Sequence, residues 1–314
     1  MDKRAEQYLE YSIEQKNLMK RKSHRWFLQG MFGTIYDSNI ILALDEQLNQ
    51  PNVNLDVEGL RFITSNTLKY RPFFEEKNEM SIEVGATLVQ TLGTDFSVDD
   101  ELQKADPWVF SIGLPFTHRG LLWKKGYSFD LRPSFETLVM DLSGTGKEPV
   151  INSILLDFNN TIVGSRNFVL KADFQLRNDS ADVGGSSNAD AMRYTFALKS
   201  IVVLNKDSER YLIPALSYAV NDAKGSDFAF SRLDLGLTFT SAIFGRLVWT
   251  NNLNYFVANY RSPRVDKNYS LTTGLNYALG LKWNIALTGN YQINDSNTNR
   301  FKKLQVMSTV AYSF

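Results

Sequence analysis

The stretch LKWNIALTGNYQIN, residues 281–294, decides how the whole chain is read. Leu281, Trp283, Ile285, Leu287, Tyr291 and Ile293 fall on one side of an extended backbone, and Lys282, Asn284, Ala286, Thr288, Asn290 and Gln292 on the other. Successive side chains of a strand point to opposite faces, so a period of two separates apolar from polar in a strand, whereas a helix would mix them. The closing stretch repeats the pattern. Leu304, Val306, Val310, Tyr312 and Phe314 oppose Lys303, Gln305, Thr309 and Ser313. Working backwards, Leu233, Leu235, Leu237 and Phe239 oppose Arg232, Asp234, Gly236 and Thr238, and Tyr194, Phe196 and Leu198 oppose Arg193, Thr195 and Lys199.

Extended over the chain, this period marks fourteen segments, near 25–36, 59–73, 80–92, 107–117, 126–140, 150–163, 167–178, 192–204, 210–222, 228–242, 246–259, 268–279, 281–294 and 301–314. Most are longer than the ~5–6 residues of an ordinary globular strand and meet the ~9–11 that a tilted strand needs to cross a bilayer. A soluble sandwich would alternate too, but three features favour a membrane. Short connections, such as Gly164–Asn167, Asn205–Glu209, Gly245 and Gly280, alternate with generally longer ones, such as Asp37–Glu58, Gly93–Asp106 and Asn178–Ala191. Aromatics collect near segment ends, among them Trp26, Tyr36, Tyr70, Phe73, Trp108, Tyr127, Phe168, Tyr211, Trp249, Tyr269, Trp283 and Phe314, as interfacial girdles require. An even strand count closes a sheet and removes the unpaired edges that lipid does not tolerate. The expected fold is all-β, a closed antiparallel transmembrane barrel of about fourteen strands over 25–314, preceded by a short helix.

Composition agrees. The 314 residues hold 34 Lys and Arg against 34 Asp and Glu, a net charge of zero that argues against a nucleic-acid partner. Mean hydropathy is −0.25 and no run approaches the ~18 apolar residues of a membrane helix, a test that barrels evade because only alternate residues face lipid. With no cysteine, disulfides, Cys-based zinc sites and an N-terminal lipid attached to Cys are excluded. Residues 1–24 differ: Ala5, Tyr8, Leu9 and Ile13 recur at helical spacing among charged residues. They read as an amphipathic helix or solvated tail on the periplasmic side, with a periplasmic protein docked there as one reading. The opening MDKRAEQYLEYS lacks the apolar stretch of a signal peptide.

Chemistry, if any, lies on the polar face. Arg132, Glu136, Lys171, Asp173, Arg193, Lys199, Arg232, Asp234 and Lys282 oppose apolar faces, with Arg61, Lys69, Arg71, Glu83, Asp130, Asp157 and Arg177. They are expected to line a wet lumen, either as a structural ladder of ion pairs or as charges that tune selectivity. Enzymatic readings are poor. The two histidines, His24 and His118, bring no visible triad, and no carboxylate pair has a distinctive spacing. The loop stretches DFSVDDE (95–101) and DSADVGGSSNAD (179–190) match no calcium-loop pattern, so neither metal nor cofactor is expected. The run HRGLLWKK, residues 118–125, reads as a basic periplasmic turn with Trp123 as a membrane anchor.

The last strand, with Val310, Tyr312 and a C-terminal Phe314, resembles the terminal strand of bacterial outer-membrane proteins. The resemblance implies an outer-membrane location and recognition of those residues by the barrel-assembly machinery. More locally, Tyr36-Asp37-Ser38-Asn39 after a helical stretch resembles barrels that follow tetratricopeptide-type domains, such as the surface lipoprotein assembly modifier (Slam) family. That resemblance implies an export conduit for lipoprotein or polysaccharide. A passive porin-like channel and a plugged barrel anchoring an assembly are the other two expectations, the loop 37–58 being the expected plug.

Overall fold

The computed structural model describes residues 25–39, 58–75, 77–92, 106–123, 125–141, 146–165, 167–181, 187–205, 209–298 and 300–314. The expected helix in 1–24 and most of the expected plug lie outside them. Strands are β1 (Trp26–Asp37), β2 (Gly59–Phe74), β3 (Asn78–Leu92), β4 (Trp108–Gly113), β5 (Phe116–Leu122), β6 (Lys125–Met140), β7 (Glu148–Ser165), β8 (Phe168–Ala181), β9 (Ala191–Val203), β10 (Arg210–Ala223), β11 (Phe230–Phe244), β12 (Leu247–Tyr260), β13 (Val265–Ala278), β14 (Trp283–Ser296) and β15 (Phe301–Ser313). β4 and β5 both lie between β3 and β6 and are halves of one stave. Pro115, with no N–H to give, interrupts the ladder between them. No residue is inserted: Gly113 faces Glu83, Phe116 faces Met80, and the Pro115 carbonyl still accepts from Ser81 N at 2.9 Å. The result is a closed antiparallel barrel of 14 staves.

Closure is made by β1 against β15, in register from Gln29 opposite Ser313 to Asp37 opposite Gln305. Phe314 completes this seam: its N–H donates to Leu28 O at 2.8 Å and its carbonyl accepts from Leu28 N at 3.2 Å. The described strands therefore leave no open sheet edge, the condition lipid imposes.

Alternation then sorts every stave into two faces. Outward are Leu233, Leu235 and Leu237 of β11, Leu271 and Leu275 of β13 and Ile285 and Leu287 of β14, all exposed. Within the strands the outward face carries charge only near strand ends, at Lys125, Arg210, Asp222, Lys267, Asp295 and Lys302. The wide uncharged band between suits hydrocarbon. Outward aromatics pair near the end shared by Trp26 and Phe314: Trp26 with Tyr70 at 4.5 Å and Trp283 with Tyr312 at 4.7 Å. Tyr211 is an exception to the expected girdle. It is the register partner of Thr240 on the inner face, one residue out of phase with outward Leu212.

The short connections, including 123–124, 166–167, 245–246 and 279–282, share the Trp26 and Phe314 end, and the longest ones, 38–58 and 93–107, lie opposite. Gly245 (φ 49°) and Gly280 (φ 147°) supply the left-handed backbone that these tight turns need. One expectation is corrected here. HRGLLWKK is mostly strand: β5 stays paired with β6 from Phe116 opposite Leu131 to Leu122 opposite Lys125. Gly120 and the adjacent Leu121 and Leu122 broke the alternation that would have shown it. Trp123, at φ 51° and 87% exposed, occupies the turn itself.

Outward Leu287→Arg should lower stability in lipid vesicles by ~2–4 kcal/mol, and inward Thr288→Arg by much less. Urea unfolding of the two variants in vesicles measures the difference.

Candidate functional site

The site is the inner wall. Register places Arg132, Glu136, Lys171, Asp173, Arg193, Lys199, Arg232 and Asp234 on it, from β6, β8, β9 and β11. Lys282 is placed elsewhere. It sits in the β13–β14 turn with its ammonium 4.4 Å from the Phe314 ring and 5.9 Å from Tyr312, a cation–π contact at the end of the closing strand.

The charged side chains answer one another along the wall. Lys69 lies 3.1 Å from Glu79 and 3.5 Å from Glu83, and Glu83 also takes Arg132 at 3.0 Å. Arg177 reaches Glu136 at 3.3 Å and Asp179 at 2.6 Å, Lys199 reaches Asp173 at 3.3 Å, and Arg232 reaches Asp234 at 2.9 Å. The β8–β9 ladder sets like charges directly opposite, Lys171 with Lys199 and Arg177 with Arg193, an arrangement that is unfavourable by itself. The carboxylates of Asp173 and Asp179 on β8 offset it. Arg193 donates from Nε to Asn221 Oδ1 at 3.0 Å, with its guanidinium 5.7 Å from the Phe230 ring.

From β12 to β15 the wall is neutral except at the strand ends, where Asp266 and Lys303 stand. Gln305 Nε2 donates to Asp37 at 2.9 Å, Asn290 Nδ2 to Gln305 Oε1 at 3.4 Å, and Thr272 Oγ1 to Asn290 Oδ1 at 3.0 Å. Thr272 is the register partner of Asn252, whose Nδ2 donates to Thr238 Oγ1 at 2.6 Å. Amides and hydroxyls thus follow one register row from β15 through β14, β13 and β12 to β11, ending against the Asp37 carboxylate at the seam. The lumen has two characters: an ion-paired arc centred on β6 to β9, facing a belt of uncharged donors and acceptors.

The Tyr36–Asn39 motif stands at the seam. The fully buried carboxylate of Asp37 accepts from Asn39 N at 3.0 Å and lies 2.9 Å from Lys303 Nζ and 3.7 Å from Arg61. Ser38 N donates to Leu304 O at 2.9 Å, Ser38 Oγ accepts from Leu304 N at 2.8 Å, and Asn39 Nδ2 donates to Lys302 O at 3.4 Å. Arg61 continues to Asp106 at 3.4 Å, which accepts from Thr91 N at 2.6 Å. A short polar turn thereby staples the first strand to the last. The sequence shows Lys303 only as part of the polar face of the last strand, puts Asp179 in a loop although β8 runs to Ala181, and does not single out Asp106 and Glu79, because all four lie at or just beyond strand ends where the alternation has no neighbours to confirm it. No group of three or more His, Asp and Glu able to hold a metal occurs among the described residues. His118 faces outward, its Nδ1 2.7 Å from Asn78 Oδ1 and its ring against Tyr127 at 5.7 Å.

At the long-connection end, Asp190 ties two connections together. It accepts from Lys224 at 2.7 Å and from Ala181 N at 2.7 Å, and the lysine bond first, then the amide, holds its carboxyl below the usual carboxylate range. In the connection before β13, the bond to Asp266 holds Arg264 above its ordinary value.

No protein-family model matches the chain, and no curated protein matches its sequence. Solved structures do match in fold. OccAB4 of Acinetobacter baumannii is 9% identical, covering 93% of this chain and 99% of its own, with a TM-score of 0.46. The toluene transporter TbuX of Ralstonia pickettii is 11% identical over 92% of this chain and 88% of its own, with a TM-score of 0.49. OmpT, an outer-membrane protein of Vibrio cholerae, is 7% identical over 93% and 100%, with a TM-score of 0.48. At these identities and scores the likeness says nothing of what crosses this barrel.

Two predictions follow from the clusters. Asp37→Ala leaves Lys303 buried without its anion, while Arg61 keeps Asp106, and should cost ~3–5 kcal/mol in urea unfolding. The Asp190–Lys224 tie, fully present above the unfolded carboxyl's pKa of ~3.9, should be lost as pH falls through the lower folded value. The protection factor of the Ala181 amide, corrected for the intrinsic pH dependence of exchange, should fall over that acidic window, and Asp190→Ala should show the lowered protection already at neutral pH.

Proposed function

We propose that the protein is an outer-membrane channel through which small polar solutes diffuse, with its N-terminus on the periplasmic side. The observation that carries this reading is the inner wall itself: ion pairs on one arc and amides and hydroxyls on the other, with no apolar stretch like the exterior's. A wall of 14 staves lies between the eight-stranded barrels that side chains fill and the 16–18-stranded porins that leave an aqueous channel. Because most lumen cations are matched by carboxylates a few ångströms away, Lys171 and Arg193 being without an ion pair among the described residues, the wall presents little net field to an ion. Weak ion preference is the signature of this reading. The export and anchored-scaffold readings depend on residues 1–24 and on the first long connection, outside the described residues, and the Tyr36–Asn39 motif has a structural role at the seam. No residue grouping among the described residues of the wall supports catalysis, and recognition of Val310, Tyr312 and Phe314 during assembly belongs to the same proposal.

Purified protein in planar bilayers should give steady, ohmic conductance with a potassium-to-chloride permeability ratio near unity. A silent barrel, or one strongly selective for either ion, would overturn the proposal.

A further inference from the structure

Apolar relief and unpaired charge meet on the outer face of β11 to β15. A groove of ≈ 410 Å³ crosses the outer face of β11 to β14, lined by Leu235, Leu253, Tyr255, Tyr269, Leu271 and Ile293 among others. The Tyr255 and Tyr269 rings, with centroids 4.8 Å apart, form a ridge within it. Lys302 is the register partner of Ile293. Lys267 lies two residues beyond Tyr269 on the same face, opposite Asp295. Both lysines are exposed, and neither has an ion pair among the described residues. Asp295, between them, is answered by Arg300 at 3.0 Å. At the long-connection end, Lys267 and Lys302 are the outward cations carried on strands, and both border this groove. The remaining outward strand charge at that end, Asp222, is held by Arg261 at 2.7 Å.

We propose that this face binds a phosphorylated, multiply acylated glycolipid of the outer leaflet, its acyl chain in the groove and its phosphate between Lys267 and Lys302. Long connections mark the outer side of the membrane, so these lysines stand at headgroup level and the groove below them at acyl level. A free anion would use the lysines alone, and a zwitterionic lipid the groove alone. A lipid carrying chain and phosphate together uses both. The inference rests on the outer-membrane placement and not on what the lumen conducts.

The test is native mass spectrometry of the detergent-solubilised barrel titrated with bis-phosphorylated lipid A, with the same lipid stripped of phosphate, and with phosphatidylcholine. Retention of bis-phosphorylated lipid A by the wild type is expected to exceed that of the other two by about tenfold or more, since each lysine near an anionic headgroup contributes appreciably. The Lys267→Gln/Lys302→Gln variant should lose that margin, while Lys125→Gln at the opposite end keeps it. Equal retention of all three lipids by the wild type, which needs no variant to fold, would overturn the proposal. So would an undiminished margin in the double variant. Because mass is read rather than current, a silent channel would leave this result interpretable.

Discussion

Every backbone amide that meets hydrocarbon must find its hydrogen bond within the protein, because lipid offers none. From that constraint the rest of the structure follows. A sheet meets it only by closing, so β1 must find β15 across the whole length of the chain. The contacts at this seam are correspondingly specific. Phe314 pairs reciprocally with Leu28 at one end, and Asp37, Ser38 and Asn39 grip β15 at the other. Burying Asp37 would be costly for an isolated carboxylate. Lys303, Gln305, Arg61 and the Asn39 amide together offset that cost.

Closure also divides the side chains. One face meets lipid and loses its charges except near strand ends. The other meets water and can hold charge only where it is matched or hydrated. Direct opposition of Lys171 with Lys199 and of Arg177 with Arg193 is tolerated because Asp173 and Asp179 stand beside them. The neutral row from Gln305 to Thr238 needs no such matching, since amides and hydroxyls satisfy one another at modest cost. It is on this pairing of an ion-paired arc with a neutral row that the proposal of a weakly selective channel for polar solutes rests.

Much of this was legible in the sequence, for a physical reason. A two-residue period imposed by two solvents is written into every stave, so β11, β14 and β15 could be read directly from Leu235, Leu287 and Val306. Where the period fails, the reading failed too. The strand end around Gly120, Leu121 and Leu122 looked like a turn because a glycine and two adjacent leucines carry no alternation. Tyr211 was placed in the girdle because aromatic identity near a segment end does not reveal phase. Lys282 was assigned to the lumen by parity, yet the last residue before a strand is free to turn toward Tyr312 and Phe314. The seam network of Asp37, Arg61, Asp106 and Lys303 joins residues from opposite ends of the chain, and no local pattern announces such a meeting.

The central claim is that alternate residues of each stave face water and lipid, and the absence of native cysteine makes it directly testable. Single cysteines introduced in turn from Trp283 to Asn294 in vesicle-embedded protein would be exposed to a membrane-impermeant thiol reagent and, separately, to a lipid-borne quencher. The account predicts labelling at Asn284, Ala286, Thr288, Asn290 and Gln292, and quenching at Trp283, Ile285, Leu287, Tyr291 and Ile293. Uniform labelling along the stave, or labelling at the second set with quenching at the first, would contradict it.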